Sequence, residues 1–209
     1  MLRKLFLLAA FILFYQYGFS EVFTVTNNND SGAGSFRDAI TKSNANGNTE
    51  VDYIYFNIPG ISVDEHTIKI QTELPEINTD IVIDGSTQAG DFASYNKAKI
   101  ILDGEKFTFT QFTNSILSVN GVRRFELYGF VIRNFYSGSV GSIRSTTALF
   151  FSKETALVSI GNVDKGNVIY NMYGINMQYD GVNKGSIANL HFINNYIGVH
   201  EDGLQIADK

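Results

Sequence analysis

Apolar positions in this chain recur in short alternating runs rather than in long helical stripes. The runs at 53–56, 66–70, 81–85 and 99–104 are four to six residues long, rich in β-branched types, and ended by Pro, Gly or Asp. Pro59 and Pro75 fall between runs, where a missing donor does not interrupt a ladder. Denser runs follow at 115–119 and 125–128, divided by Asn120-Gly121, and 156–160 resumes the pattern. Asn-Gly can signal an antiparallel hairpin, but the Gly129-Phe-Val-Ile132 continuation suits a corner within one coil better. One stretch departs from period two. Ser35 is a good N-cap with Asp38 three residues on, Phe36, Ala39, Ile40 and Ser43 share a helical face, and Gly47 lies beyond the end. This predicts a short amphipathic helix after the first run at 22–26, placed to cover the open end of a stack of strands.

A repeated phrase organises the C-terminal half: Gly129-Phe-Val-Ile132-Arg-Asn134, Gly166-Asn-Val-Ile169-Tyr-Asn171 and His191-Phe-Ile193-Asn-Asn195. Ile-x-Asn recurs after 37 residues and then after 24, and Gly174 and Gly198 keep the second interval. A period of that size marks a solenoid whose units bury apolar faces only against their neighbours. Side chains alternate along a strand, so Ile and Asn share one side and the residue between them faces the other. The expected fold is therefore all-β, a parallel β-helix with a short N-terminal capping helix. Asn134, Asn171 and Asn195 are expected to form a structural ladder at one bend, where Asn tolerates left-handed backbone and bonds its stacked equivalent. Catalytic groups rarely recur once per coil, which favours that structural role. Asp84-Gly85 and Asp103-Gly104, 19 residues apart, read as one corner on successive coils, and the Ser/Gly-rich stretch 137–147 as a loop that lengthens the first interval.

The first twenty residues stand apart from this pattern. Arg3 and Lys4 precede a ten-residue apolar run, 5–14, and a polar stretch ending Gly18-Phe19-Ser20. That order reads as a secretory signal at 1–20, cleaved after Ser20, with the β-helix domain at 21–209. Ten apolar residues are too few to cross a bilayer, which needs about twenty. No comparable run follows, so no membrane span is expected after cleavage. The remaining 14 basic and 21 acidic residues give a formal charge of −7, which argues against nucleic acid or an anionic membrane as partner. With no cysteine there is no disulfide framework, so stability rests on the stacked core. The chain stops about ten residues after the third copy of the phrase, with no polar cap in view. Either the natural chain continues as part of a larger protein or a partner covers the edge, and the sequence favours the first.

Candidate chemistry is sparse. A polysaccharide-cleaving β-helix needs carboxylates gathered on one wall, to bind Ca²⁺ through oxygen or to act as an acid and base pair. Among the later runs only Glu126 lies on a wall, while Asp164, Asp180, Glu201 and Asp202 fall in expected loops. The best groove candidate is the column of residues between Ile and Asn in the phrase. Arg133, Tyr170 and Asn194 are expected to stack and hold a glycan by ring contact and hydrogen bonds, the alternative being an ordinary solvated wall. His66, His191 and His200 lack a metal spacing. Asn27-x-Asn29-x-Ser31-Gly32 with Asp38 mimics a calcium loop but lacks its first Asp and its bidentate Glu, and reads as a turn with a helix cap. No metal site or cofactor is expected, Ca²⁺ entering only under a lyase reading.

Gly34-Ser-Phe-Arg-Asp-Ala-Ile40, Phe56-Asn-Ile-Pro-Gly60, Leu74-Pro75 and Ile83-Asp-Gly-Ser-Thr-Gln-Ala-Gly90 together resemble bacterial secreted right-handed parallel β-helix proteins of the pectin-lyase-like superfamily. The resemblance covers 21–209 and implies a right-handed coil in a large secreted or cell-surface protein. It specifies fold better than activity, because that superfamily holds polysaccharide-cleaving enzymes beside adhesins and structural repeats. The expected function is a non-catalytic scaffold or adhesive, glycan-contacting segment. The alternative is a polysaccharide lyase or glycoside hydrolase with loops 137–147 and 176–186 at its site.

Overall fold

A computed structural model describes residues 19–94, 96–108, 115–135, 147–153, 155–172, 178–179 and 187–200. The chain is an all-β parallel solenoid of about four turns with the form of a right-handed parallel β-helix, capped at its N-terminal end by one described helix. Its strands are β1 (Val22–Val25), β2 (Asp52–Phe56), β3 (Thr67–Lys69), β4 (Ile81–Asp84), β5 (Ile100–Asp103), β6 (Ser115–Val119), β7 (Arg124–Tyr128), β8 (Phe130–Arg133), β9 (Thr147–Phe151), β10 (Thr155–Ile160), β11 (Val168–Tyr170), β12 (Gln178–Tyr179), β13 (Ile187–Phe192) and β14 (Tyr196–Ile197). The three sheets run β1-β2-β4-β7-β10-β13, β3-β5-β8-β11-β14 and β6-β9-β12, and every strand pair is parallel. Chain order thus visits the first, second and third sheets in turn, and Ile77 bridges Val119 to supply the third face of an early coil.

Register explains the alternating sequence. Ile54, Ile83, Leu127 and Ile160 stack on the inner side of the first sheet, and Ile68, Leu102, Ile132 and Ile169 on that of the second. Aromatic rings fill the tube between them: Phe56 lies 5.6 Å from Phe36 and 5.4 Å from Phe130, and Phe125 lies 5.8 Å from Phe151. Isoleucine and phenylalanine suit this interior because each rung offers an apolar neighbour above and below on the same face.

The helix α1 (Phe36–Asn46) begins where the capping pattern places it. Ser35 Oγ accepts from the Asp38 N–H at 3.2 Å, and Asp38 Oδ2 accepts from the Gly34 N–H at 2.9 Å, a reciprocal cap. The Lys42 ammonium first, then the Gly34 N–H, hold the Asp38 carboxyl below its usual value. Phe36, Ala39, Ile40 and Ser43 are the buried face, and the helix ends at Gly47. Arg37 pairs with Asp30 of its own coil at 3.1 Å and ties the cap to the next coil through the carbonyls of Thr72 and Glu73. The Asn27 to Gly32 stretch is the turn before that cap: Asn27 Oδ1 accepts from the Asn29 N–H and its amide donates to the Ala33 carbonyl. Asn120-Gly121 is a corner between β6 and β7, not a hairpin.

Two expectations are corrected. Asp84 and Asp103 end strands of different sheets within the same coil, so their 19-residue spacing separates two faces of one turn rather than two turns. The third copy of Ile-x-Asn does not stack on the second: β14 sets Tyr196 against Val168 and Ile197 against Ile169, an offset of 28 residues rather than 24. Ile193 and Asn194 sit at the corner that precedes β14. The apolar 5–14 run and the loops expected at 137–147 and 176–186 lie wholly or largely outside the described residues, as do Asp180, Glu201 and Asp202. Among the described residues no helix is long and apolar enough to cross a membrane.

Candidate functional site

The Asn ladder joins two of its three expected members. Asn171 donates its amide to Asn134 Oδ1 at 2.6 Å, and both have positive φ, 51° and 62°. Asn195 belongs to a different column. Its Oδ1 accepts from Asn167 Nδ2 at 3.0 Å, while Asn167 Oδ1 accepts from the Phe130 N–H and its amide also donates to the Leu127 carbonyl. The sequence reading missed Asn167 because it lies before its strand, outside the Ile-x-Asn phrase.

The second sheet brings together two of the three expected groove residues. Tyr170 pairs with Arg133, and Arg133 with Asp103, so the outward column runs Lys69, Asp103, Arg133, Tyr170. Arg133 Nε donates to Asp103 Oδ2 at 2.9 Å and its Nη1 to the Tyr170 hydroxyl at 3.4 Å. Burial alone would raise the Asp103 carboxyl. The Glu105 N–H, the Asn134 amide and the Arg133 guanidinium outweigh it and hold the group below its usual value. Tyr170 is buried within a second apolar cluster with Ala98, Ile101, Val131 and Val168. Its ring also lies 4.9 Å from His200. Asn194 is not in this column, because the register of β14 carries Tyr170 onto Gly198. Its amide instead donates to the carbonyls of Asn162 and Val163. What the sequence marked as an open groove is thus a packed wall whose charges satisfy one another.

The outer face of the first sheet carries a denser constellation, on strands whose inward residues form the core. Arg124, Glu126 and Tyr128 project together from β7, since they alternate with the buried Phe125 and Leu127. Register places Val82 and Ser159 beside Glu126, Asp84 beside Tyr128, and Tyr53 and Tyr55 on the strand beyond. Glu126, 7% exposed, accepts from Arg124 Nε at 2.5 Å and from the Tyr128 hydroxyl. Burial first, and the neighbouring Glu126 carboxylate second, push the Tyr128 hydroxyl up to about 12. The same Glu126 raises the Arg124 guanidinium above its already high value. Lys165, which follows β10 two coils on, reaches across β7 to Asp84 Oδ2 at 2.5 Å, and its ammonium lies 5.4 Å from the centre of the Tyr128 ring. The Tyr53 and Tyr55 rings, both half-buried, sit 5.8 Å apart edge to face.

Of these residues the sequence reading singled out Glu126 for this wall and took it to stand alone. The signal it passed over was period two: Arg124-x-Glu126-x-Tyr128 and Tyr53-x-Tyr55 each put polar aromatic and charged groups on one face. Chemically this wall offers the half-buried Tyr53 and Tyr55 rings for stacking, while Tyr128, Glu126 and Asp84 are buried and the two carboxylates are already neutralised by Arg124 and Lys165. Such a surface suits a neutral, hydroxyl-rich ligand better than a strongly charged one.

Elsewhere, His66 is buried, with Nε2 3.0 Å from Gln88 Nε2 and 3.3 Å from the Gly60 carbonyl. His191 is exposed on β13. Among the described residues no group of three or more His, Asp or Glu is placed to hold a metal ion. A cleft of about 310 Å³ between β1 and α1 is lined by Glu21, Val22, Asp38 and Lys42, on neither column.

Fold and walls together define the chain as a parallel β-solenoid with an aromatic and carboxylate-bearing outer face. Comparison with protein-family models, with curated proteins and with solved structures finds no match.

Proposed function

We propose that this chain is a secreted or cell-surface β-helix of the bacterial, pectin-lyase-like kind, and that it serves as a scaffold or adhesive whose first sheet contacts glycans. The observation that carries the reading is the outer face of that sheet. The half-buried Tyr53 and Tyr55 rings share that face with the partly exposed Arg124 and Lys165 side chains, which pair with the buried Glu126 and Asp84, on a regular wall that an extended polymer can follow. The resemblance at residues 34–90 and the signal pattern at 1–20 support the assignment to secreted proteins. The half-buried Tyr53 and Tyr55 rings replace the Arg133, Tyr170 and Asn194 column as the proposed contact surface, because in that column Tyr170 is buried and Arg133 is paired with Asp103.

One observation favours a second reading, polysaccharide cleavage. Asp84 and Glu126 lie diagonally across neighbouring strands on one outer face, and an acid and base pair needs two carboxylates on one wall. Against it, each carboxylate is engaged by a cation, and Glu126 also by a phenol. The deciding experiment screens neutral and acidic polysaccharides for retention and for chain cleavage, with and without calcium. Tyr55→Ala and Glu126→Gln are compared with Arg133→Ala. Retention without cleavage, lost in the first two and kept in the third, is expected. Calcium-dependent cleavage overturns the scaffold reading, and no retention of any polysaccharide overturns both.

A further inference from the structure

Each coil of a solenoid ordinarily touches only the coils directly beside it, so its stability is a sum of neighbour terms. The connection from β4 to β5 departs from that rule. After Gln88 it forms a strap, residues 89–94 and 96–98, that lies across the outside of the second sheet. Ala98 joins Ile101, Val131, Val168 and Tyr170 in one buried apolar cluster, and Ala93 packs against it. Those four side chains belong to three successive strands, β5, β8 and β11. The corner from β7 to β8 is the single residue Gly129, so that coil raises no loop in the way of the strap.

The tip of the strap is ordered by its own bonds. The Ala93 N–H donates to the Ala98 carbonyl at 2.6 Å and the Lys97 N–H to the Ser94 carbonyl at 3.1 Å, with Lys97 left-handed at φ 70°. Ser94 Oγ donates to Asn96 Oδ1 at 2.5 Å and accepts from the Ala98 N–H at 3.1 Å. This fixes the Asn96 amide, which is 4% exposed. Its nitrogen donates to the Asn167 carbonyl at 2.8 Å, ahead of β11, and to the Asn194 carbonyl at 3.0 Å, ahead of β14. These acceptors lie 71 and 98 residues along the chain. The Gly166 N–H donates in turn to the Asn96 carbonyl at 3.2 Å. A Cβ at Gly166 would run into the Asn96 amide and the Asn194 carbonyl, so the approach depends on glycine there.

We propose that the strap is a latch keyed by Asn96. It ties the corners leading into β11 and β14 to the coil of β4 and β5, two and three rungs back along the second sheet. These corners therefore open together, and only when the strap lifts. Lifting it uncovers the outward apolar column Ile101, Val131 and Val168, which the closed strap keeps from solvent. Neighbour contacts alone would instead let each coil open with its own free energy.

Amide hydrogen exchange of the full chain, read residue by residue, tests this. In the wild type the Gly166 N–H, bonded to Asn96, and the Tyr196 N–H, bonded to Asn167, should exchange through one opening with the same urea dependence. Asn96→Ala is expected to speed both by about tenfold or more, since two bonds to buried carbonyls are lost. The Tyr53 N–H, bonded to Glu21 away from the strap, should keep its rate. Unchanged exchange at Tyr196 in Asn96→Ala overturns the proposal. An equal acceleration at Tyr53 also overturns it, because the loss is then global. If Asn96→Ala does not fold, the wild-type measurement decides, and different urea dependences at Gly166 and Tyr196 contradict the latch.

Discussion

Asn171 donates its side-chain amide to Asn134 Oδ1 at 2.6 Å, from one coil to the next, and each residue turns its corner with a left-handed backbone. The two roles separate by substitution. Asn171→Gly keeps the backbone freedom and loses the bond, and is expected to cost about 1 kcal/mol. Asn171→Ala loses both and is expected to cost about 2–3 kcal/mol. Urea unfolding of the three proteins measures the difference. Equal losses would show that the side-chain bond alone matters.

Gly129 and Gly85 mark the corner between the first two sheets on adjacent coils, and they approach so closely that neither has room for a side chain. A Cβ at Gly129, where φ is +75°, would meet the Ser86 nitrogen at 2.5 Å. One at Gly85 would meet the Gly129 carbonyl oxygen at 2.7 Å. Both neighbours are backbone and cannot rotate away. Gly129→Ala is expected to destabilise by more than about 3 kcal/mol, read from chemical denaturation, and Gly32→Ala, where φ is +96° but the space is open, by the backbone strain alone, about 1–2 kcal/mol.

Asp103 couples stability to acid. Its folded carboxyl lies below its unfolded value, so its contribution is present above the ordinary aspartate range near about 4 and is lost as pH falls through the lower, folded value. Asp103→Asn is therefore expected to flatten the stability profile below about pH 4, and Arg133→Ala to flatten it in part. Denaturant midpoints measured as a function of pH check this, and an unchanged acid slope in Asp103→Asn would contradict it.

Tyr128 works in the opposite sense. Its hydroxyl ionises at about 12 in the fold against about 10 when unfolded. Its contribution is whole below the unfolded value and declines as pH rises toward the folded one. Ultraviolet difference titration should show a late-ionising tyrosine phase, and Tyr128→Phe should reduce it by one residue.

The parts of the fold that were legible in the sequence share a cause, which is that each depends on neighbours close along the chain. Ser35, Phe36 and Gly47 specify the cap within a dozen residues, and the inward Ile132 and Ile169 follow from alternation on their own strands. What misled was register between coils. Corner and loop lengths vary freely in a solenoid, so Ile193-Asn194-Asn195 matches the phrase in letters while Ile197 occupies its place in the stack. The same freedom hid the wall at Glu126, whose partners Asp84, Tyr128 and Lys165 span 82 positions of the chain and converge only when coils are laid on one another.

The central claim is the parallel, in-register stacking of successive coils, and a distance measures it. Val22, Tyr53, Val82, Glu126, Ser159 and His191 form one outward column across six strands. Five steps of about 4.8 Å separate its ends by about 24 Å. Spin labels at Val22→Cys and His191→Cys, diluted with unlabelled chain and measured by pulsed electron resonance, should give a single narrow distribution near that value. Labels at Val22→Cys and Ser159→Cys should read one step shorter. A distribution that is broad, or that does not shorten by one step when the second label moves back one coil, would contradict the stack.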